Sequence, residues 1–323
     1  MIDIETRPEQ LFVIPRDTDK VLALGGVACL PEGARITFDC TQSDFALLIA
    51  STANFASVFA AGAIEAGHPG IAHGLVEHDS AIFRQTLERI GRAAVGIGAI
   101  ATADDARVAG ERIREFHTHI HGINSLGERV LATDPELYAA GWLPIEWMIM
   151  QSAIRLGFSE ERIKRLHLEA LIAYQCQGVD DVYAPKTYSD FCRVMEEYCD
   201  YTEKTEAIDR FKEDGISRPP VIPERIWSVG IVKNVVNGIS RASTVHALPG
   251  TLASKYEYHD VPLLHRAAAA SFATMCTYLA KYGPKTLRVH PHIAEHRYPA
   301  RTPFGRASLA ASWMLTNRLL GTT

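Results

Sequence analysis

Three histidines within five residues, His117, His119 and His121, are the side chains of this chain best suited to metal chemistry. If the segment is helical, with about 100° between successive residues, His117 shares an apolar stripe with Ile113 and Phe116. His119 then points about 160° away into a polar face, and His121 lies one turn beyond His117. An imidazole set in an apolar wall suits an axial haem ligand, and a pair at i, i+4 suits half of a metal site.

Three other interpretations of these histidines stay open at this point. His117 alone also fits a core histidine with one hydrogen bond, because histidines on apolar faces are common. His117 and His121, with an acidic third ligand such as Glu169, would fit a non-haem metal hydrolase, although the residues between them do not form an HExxH motif. A helical binding or scaffold protein without haem is the third.

Length, charge and cysteine content limit the class of protein. With 323 residues and 47% hydrophobic composition, the chain can bury a large core without disulfides. A net charge of −5 and the lack of a basic stripe argue against a nucleic-acid partner. Six cysteines without CxxC spacing, and an N-terminus without a signal-peptide pattern, lead us to expect a cytoplasmic location.

The stretch from 45 to 64 contains no charged residue, and its twenty residues are enough to span a membrane. Polar residues interrupt it, Asp44 and Glu65 bound it, and no basic flank follows. We therefore expect a helix buried in the core, and no stable membrane insertion.

Helical periodicity and capping signals predict an all-α protein, since strict period-2 alternation is almost absent. We expect an N-terminal arm over 1–40, with a short strand at Arg35–Cys40, followed by a single domain over 41–323. Thr102 is expected to cap the His117 helix, which Gly122 and Gly127 would close. The other expected helices lie at about 44–66, 80–95, 135–157, 159–178, 188–201, 226–244 and 261–282, with a loop over Arg218–Pro223.

A set of motifs occurs in a characteristic order along the chain. It comprises His68-Pro69-Gly-Ile-Ala-His-Gly74-Leu-Val-Glu-His78, Arg84-Gln-Thr86-Leu, Gly96, the block from His117 through Gly122 and Gly127 to Ala132-Thr-Asp-Pro, Leu168-Glu169-Ala170, Gly178, Ala184-Pro185-Lys-Thr187-Tyr188-Ser-Asp-Phe191, Leu248-Pro249 and Leu287-Arg288-Val-His-Pro291. In this order the motifs resemble those of the DUF2236 family, which contains the latex-clearing rubber oxygenases and the fungal MpaB oxygenases. The resemblance spans roughly residues 40 to 300.

The resemblance implies a single large bundle of about 8–12 helices around a buried pocket for one b-type haem. His117 matches the proximal iron ligand, and Thr86 matches a threonine that lies near the haem. The implied activity is that of a haem-dependent oxygenase that uses dioxygen on a small apolar substrate, and oxidative cleavage of a carbon–carbon double bond is the family's known chemistry. An acidic residue near the haem acts as a base in the rubber oxygenases; Glu65 is the nearest candidate by order, and His68 is a second candidate catalytic residue.

The chain departs from the rubber oxygenases at Ile82, where they have an arginine one helical turn before the threonine. Another cation would have to contact the haem propionates in its place. Arg84, Arg89 and Lys186 are the candidates, and we predict Arg84 because it is nearest to Thr86.

Overall fold

The computed structural model describes residues 10–214, 224–258, 261–289 and 291–297, together with 306, 307, 309, 310, 313 and 314. The segment predicted as a loop over Arg218–Pro223 lies outside the described residues. So does the side chain of Arg84, whose backbone is described.

The described chain is predominantly helical, as predicted, but it has more and shorter helices than expected. The helices are α1 Thr18–Ala23, α2 Asp44–Leu48, α3 Val58–Gly67, α4 Pro69–Glu77, α5 Ala81–Arg84, α6 Thr86–Ile100, α7 Ala106–His117, α8 Pro135–Leu156, α9 Glu160–Gln175, α10 Tyr188–Tyr201, α11 Glu206–Asp214, α12 Glu224–Trp227, α13 Gly230–Ala247, α14 Gly250–Lys255, α15 Leu263–Tyr282, α16 Lys285–Arg288 and α17 Pro291–Arg297. Two short strand pairs accompany them: β1 Leu11–Ile14 with β2 Arg35–Phe38, and β3 His121–Ile123 with β4 Arg129–Leu131.

The N-terminal segment packs against the rest of the protein. Strand β2 confirms the strand predicted near Arg35, and it pairs in parallel with β1, with Leu11 opposite Arg35. Phe12 and Ile36 are fully buried in the same hydrophobic core as the helices. Residues 10–40 are therefore folded into the core and do not form the extended arm that we expected.

The predicted helix over 44–66 is divided into α2, a 3₁₀ turn over Thr52–Ala56, and α3. The side-chain amide of Asn54 donates to the carbonyls of Leu48 (2.6 Å) and Ile49 (3.1 Å), which a continuous helix would bond to backbone N–H groups. The segment is largely buried, as expected. Among the described helices, none is both long enough and apolar enough to cross a membrane.

Helix α8 is the central helix, and it packs against α3, α9 and α15. It begins after Asp134 with Pro135 in its first turn, and it ends at Gly157, whose φ of 81° is the left-handed conformation that glycine adopts without strain. Helix α9 follows Ser159, whose hydroxyl accepts from the backbone N–H of Arg162 (3.4 Å). The helices predicted from 135, 159 and 188 are confirmed.

The segment predicted as one helix over 80–95 forms two. Gln85 is not helical (φ −137°, ψ 51°), so α5 ends before it and α6 begins after it. Helix α6 does not end near Gly96 and Gly98, but continues to Ile100. The N-cap of α7 is Asp105, which accepts from the N–H of Arg107 (3.1 Å), and not Thr102 as we predicted.

Helix α7 ends at His117, earlier than predicted, and a β-hairpin follows. His121 lies in β3 opposite Leu131, and Gly127 takes a φ of 80° in the hairpin turn. Glycine is also favoured at Gly122, because a Cβ there would lie 2.8 Å from the backbone carbonyl oxygen of Gly70. The prediction that His117 and His121 lie one turn apart on a single helix is therefore wrong.

Candidate functional site

His117 is the last residue of α7, and its imidazole is half-buried. The ring packs edge-on against Tyr138 of α8, with ring centroids 5.8 Å apart, and against Phe116 at 5.4 Å. Phe116 itself is 59% exposed, so it does not belong to the buried stripe in which we placed it. His119 is exposed, as expected, but it lies beyond the end of α7 and so not on a helical face.

The hydrogen bond of His117 fixes which ring nitrogen is free. Nδ1 lies 2.8 Å from the carbonyl of Ile113, and since a carbonyl only accepts, Nδ1 carries the proton. Nε2 is then the unprotonated nitrogen, and no described residue hydrogen bonds to it. Burial lowers the pKa of His117, the hydrogen bond to Ile113 offsets part of this, and the charges of Arg89 and His119 lower the pKa. The neutral imidazole with a free Nε2 is the form that binds a metal.

Glu65 of α3 and Arg89 of α6 lie near each other and near this histidine. Burial raises the pKa of Glu65, and the positive charge of Arg89 lowers it in part. The same arginine acts on the pKa of His117, so its charge reaches both groups. Among the described residues the Arg89 guanidinium has no hydrogen bond or ion pair, which leaves it available to an anion.

Glycines on three helices leave space beside these residues. In α8, Gly141 lies one turn beyond Tyr138, and a Cβ built there would meet no atom within 4 Å. Gly96 of α6 also faces open space and lies two turns beyond Arg89. On α3, Gly62 lies one turn before Glu65, and a Cβ there would contact only Phe211, at 3.6 Å. The faces that carry the polar groups therefore have no side chains at these positions.

Thr86, the first residue of α6, is buried, and its hydroxyl donates to the carbonyl of Ile82 at 2.8 Å. It shares a face of α6 with Arg89, three residues later. Ile82 packs against the hydrophobic core. Arg84, the cation that we predicted for the propionates, belongs to the separate helix α5.

His68 is buried between α3 and α4. Its Nδ1 accepts from the N–H of Ile71 (3.4 Å), so it caps α4, which follows it. Its ring stacks on Tyr198, with centroids 5.4 Å apart, and contacts Tyr201 at 5.1 Å. Burial lowers the pKa of His68 to about 4, so it is neutral near pH 7.

The remaining candidates have other partners. The backbone N–H of His121 donates to Nε2 of His78 (3.2 Å), and Lys186 pairs with Asp181 (2.6 Å). Glu169 accepts from the Ser43 hydroxyl (2.6 Å). In the described part of the chain, no three His, Cys, Asp or Glu side chains are grouped as metal ligands. The described residues therefore do not form the set of grouped ligands that the metal-hydrolase alternative requires.

Sequence reasoning missed Tyr138 and Gly141, and it ranked Arg89 below Arg84. The spacing from Thr86 to Arg89 could have identified the arginine, because residues three apart share a helical face. No local signal connects Tyr138 with His117, since their contact depends on how α7 and α8 pack.

The family comparison agrees with the motif order. The family model described as "ER-bound oxygenase mpaB/B'/Rubber oxygenase, catalytic domain" matches residues 48–281. No curated protein and no solved structure matches the chain. Because the family match covers most of the chain and includes α3, α6, α7 and α8, the chain belongs to the mpaB and rubber oxygenase catalytic-domain family.

Proposed function

We propose that this oxygenase binds one b-type haem through Nε2 of His117 and uses dioxygen to oxidise a small apolar substrate. The observation that carries the proposal is the bond from Nδ1 of His117 to the carbonyl of Ile113. This bond fixes the ring and its tautomer, as the outer hydrogen bond of a metal-binding histidine does.

The surroundings of His117 fit the other requirements of a haem. A flat macrocycle needs an apolar slot without intruding side chains, and Gly62, Gly96 and Gly141 face open space or a single distant ring atom. A propionate needs a cation, and Arg89 has no other partner among the described residues. We therefore assign Arg89, in place of Arg84, to the propionate contact.

Glu65 is proposed as the base of the reaction. Bound haem would supply the iron at which dioxygen is activated. The Glu65 carboxylate would remove a proton from the apolar substrate, and its raised pKa makes it a stronger base than an exposed carboxylate. The positive charge of Arg89 favours the ionised form of Glu65. This assignment is compatible with cleavage of a carbon–carbon double bond, the chemistry for which the family is known.

The absorption spectrum of the purified protein tests the haem assignment. We expect a strong band near 400 nm and about one haem per chain in the wild type and in His119→Ala, and loss of both in His117→Ala. His119→Ala is the matched control because it removes an imidazole two residues away whose side chain is exposed. Equal haem content in His117→Ala and wild type would disprove the assignment. A wild type without haem after growth with added haem precursor would favour the scaffold alternative.

A further inference from the structure

Helices α13 and α15 pack against each other and expose apolar side chains on the outside of the protein. These side chains are large, and each is at least half exposed: Ile231, Leu263, Leu264, Met275, Tyr278 and Tyr282. We call this set the α13–α15 face. Soluble monomers seldom expose so many large apolar groups on adjoining elements, so a face of this kind marks a contact surface.

The same helices carry positive charge and no negative charge. Neither Gly230–Ala247 nor Leu263–Tyr282 contains an Asp or Glu. From Gly230 to Arg288 the chain has seven Lys or Arg and two Asp or Glu, a net charge of +5 within a chain of −5. The rest of the chain therefore carries −10, and the charge of the α13–α15 region is opposite in sign to that of the whole molecule.

Three basic side chains of this region have no ion-pair partner among the described residues, although Nε of Arg266 donates to the carbonyl of Val261 (3.0 Å). Lys233, Arg266 and Lys281 are exposed, and no described residue forms an ion pair with them. A cleft of about 360 Å³, lined by residues that include His246, Ser254 and Arg266, lies between α13 and the start of α15. These groups are suited to a phosphate or carboxylate at the edge of the apolar face.

We propose that the α13–α15 face docks on the surface of an anionic phospholipid membrane. Exposed Leu and Met side chains would enter the boundary between headgroups and acyl chains, and Tyr278 and Tyr282 would lie at the headgroup level. Lys233, Arg266 and Lys281 would contact the anionic headgroups. This docking is peripheral, and it does not depend on the haem assignment.

The charge favours a membrane over the other possible partners. In a two-fold dimer through this face, each copy would place its net +5 against the same charge of the other, which opposes association. A nucleic acid would satisfy the lysines but would leave the leucines and Met275 without an apolar partner. An anionic bilayer offers negative charge to the lysines and an apolar phase to the leucines and Met275.

Co-sedimentation of the full chain with phospholipid vesicles tests the proposal. We expect binding to phosphatidylcholine vesicles with about 30% phosphatidylserine, weaker binding at high salt, and little binding to pure phosphatidylcholine. Leu264→Ser should weaken binding about tenfold, and Lys281→Ala about fivefold. The matched controls are Leu126→Ser and Lys164→Ala: Leu126 is 79% exposed against 78% for Leu264, and neither control lies on the face.

Three results would overturn the proposal. One is the absence of vesicle binding, or equal binding to neutral and anionic vesicles. Another is equal loss of binding in Leu264→Ser and Leu126→Ser. The third is a concentration-dependent dimer in the absence of lipid that Leu264→Ser abolishes and Leu126→Ser does not, because a second copy would then cover the face. Circular dichroism and thermal unfolding of each variant show that it is folded.

Discussion

Arg89 is the residue whose charge reaches both of the groups that we propose to act in the reaction. Its positive charge lowers the pKa of His117 and that of Glu65. A cation in this position favours the neutral imidazole that binds iron and the ionised carboxylate that accepts a proton. One side chain therefore supports both functions, and it is also free to contact a propionate.

We predict that Arg89→Ala weakens haem retention and changes the pH dependence of the reaction. Loss of a charge-assisted contact of about 1.5–3 kcal/mol corresponds to a 10- to 100-fold weaker haem affinity. Without Arg89 the pKa of Glu65 rises further, so the acidic limb of the pH–rate profile should move to higher pH. Haem transfer to apomyoglobin and a pH series on haem-saturated enzyme measure the two effects.

Arg92→Ala is the control, because Arg92 is an exposed arginine of the same helix. We expect it to retain haem and to keep the wild-type pH profile. If Arg89→Ala and Arg92→Ala behave alike, the propionates are bound elsewhere, and Arg84 returns as the candidate.

Part of this site could be predicted from residue types and spacing. The motif order pointed to His117, Thr86 and Glu65. The helical projection from His117 to His119 does not apply, because α7 ends at His117. The choice between Arg84 and Arg89 could not be made, because it depends on the break at Gln85, where the backbone leaves the helical conformation (φ −137°, ψ 51°). A break of this kind removes the angular relation between residues on its two sides, and no strong helix breaker marks it in the sequence.

At the scale of elements, the haem proposal depends on glycines of α3, α6 and α8 as well as on the polar residues. A central helix such as α8 normally fills its surroundings with side chains, but Gly141 faces open space. The same is true of Gly96 in α6. Glycine costs about 0.8–1 kcal/mol relative to alanine inside a helix. Gly141 and Gly96 are partly exposed, so the room beside them is open to solvent or to the bound group that we propose.

We predict that Gly141→Phe excludes haem while the protein stays folded. The Cβ has room, so the phenyl ring would extend into the space that we assign to the macrocycle. Gly141→Ala should retain haem, and it should stabilise the haem-free protein by about 0.8–1 kcal/mol through helix propensity. Haem content by absorption and urea unfolding of the haem-free proteins are the measurements. Full haem loading in Gly141→Phe would show that the slot lies elsewhere.

Elements with strong local signals were predicted well, and elements that depend on distant contacts were not. Helix α8 begins at Pro135, directly after Asp134, and α9 begins directly after Ser159, as these capping signals predict. The hairpin after His117 was missed because β3 is held by β4 and by the close approach of α4, where a Cβ on Gly70 would clash with the carbonyl of Ile123. Contacts of this kind are not encoded within a short window of sequence.

For the whole molecule, two buried groups with opposite pKa shifts influence how stability depends on pH. Burial raises the pKa of Glu169 to about 7, so this carboxyl costs stability as pH rises from 4.5 to 7. Burial lowers the pKa of His68 to about 4, so this imidazole costs stability as pH falls from 6.5 to 4. Each effect amounts to about 3 kcal/mol at its limit. Both groups lie where separate elements meet, Glu169 between α9 and α2 and His68 between α3 and α4.

Between pH 4.5 and 6.5 the two costs add, but their pH dependences cancel. In this window the folded protein keeps a proton on Glu169, whereas the unfolded chain keeps one on His68, so the two states bind equal numbers of protons at this pair. We predict that Glu169→Gln leaves only the pH dependence contributed by His68. The free energy of unfolding should then rise with pH by about 1.4 kcal/mol per pH unit more than in wild type. His68→Asn, which keeps a side-chain acceptor to cap α4, should change the slope by the same amount in the opposite direction. Urea unfolding at several pH values across the window measures these slopes, and equal slopes in wild type and both variants would show that neither group titrates with the shifted pKa.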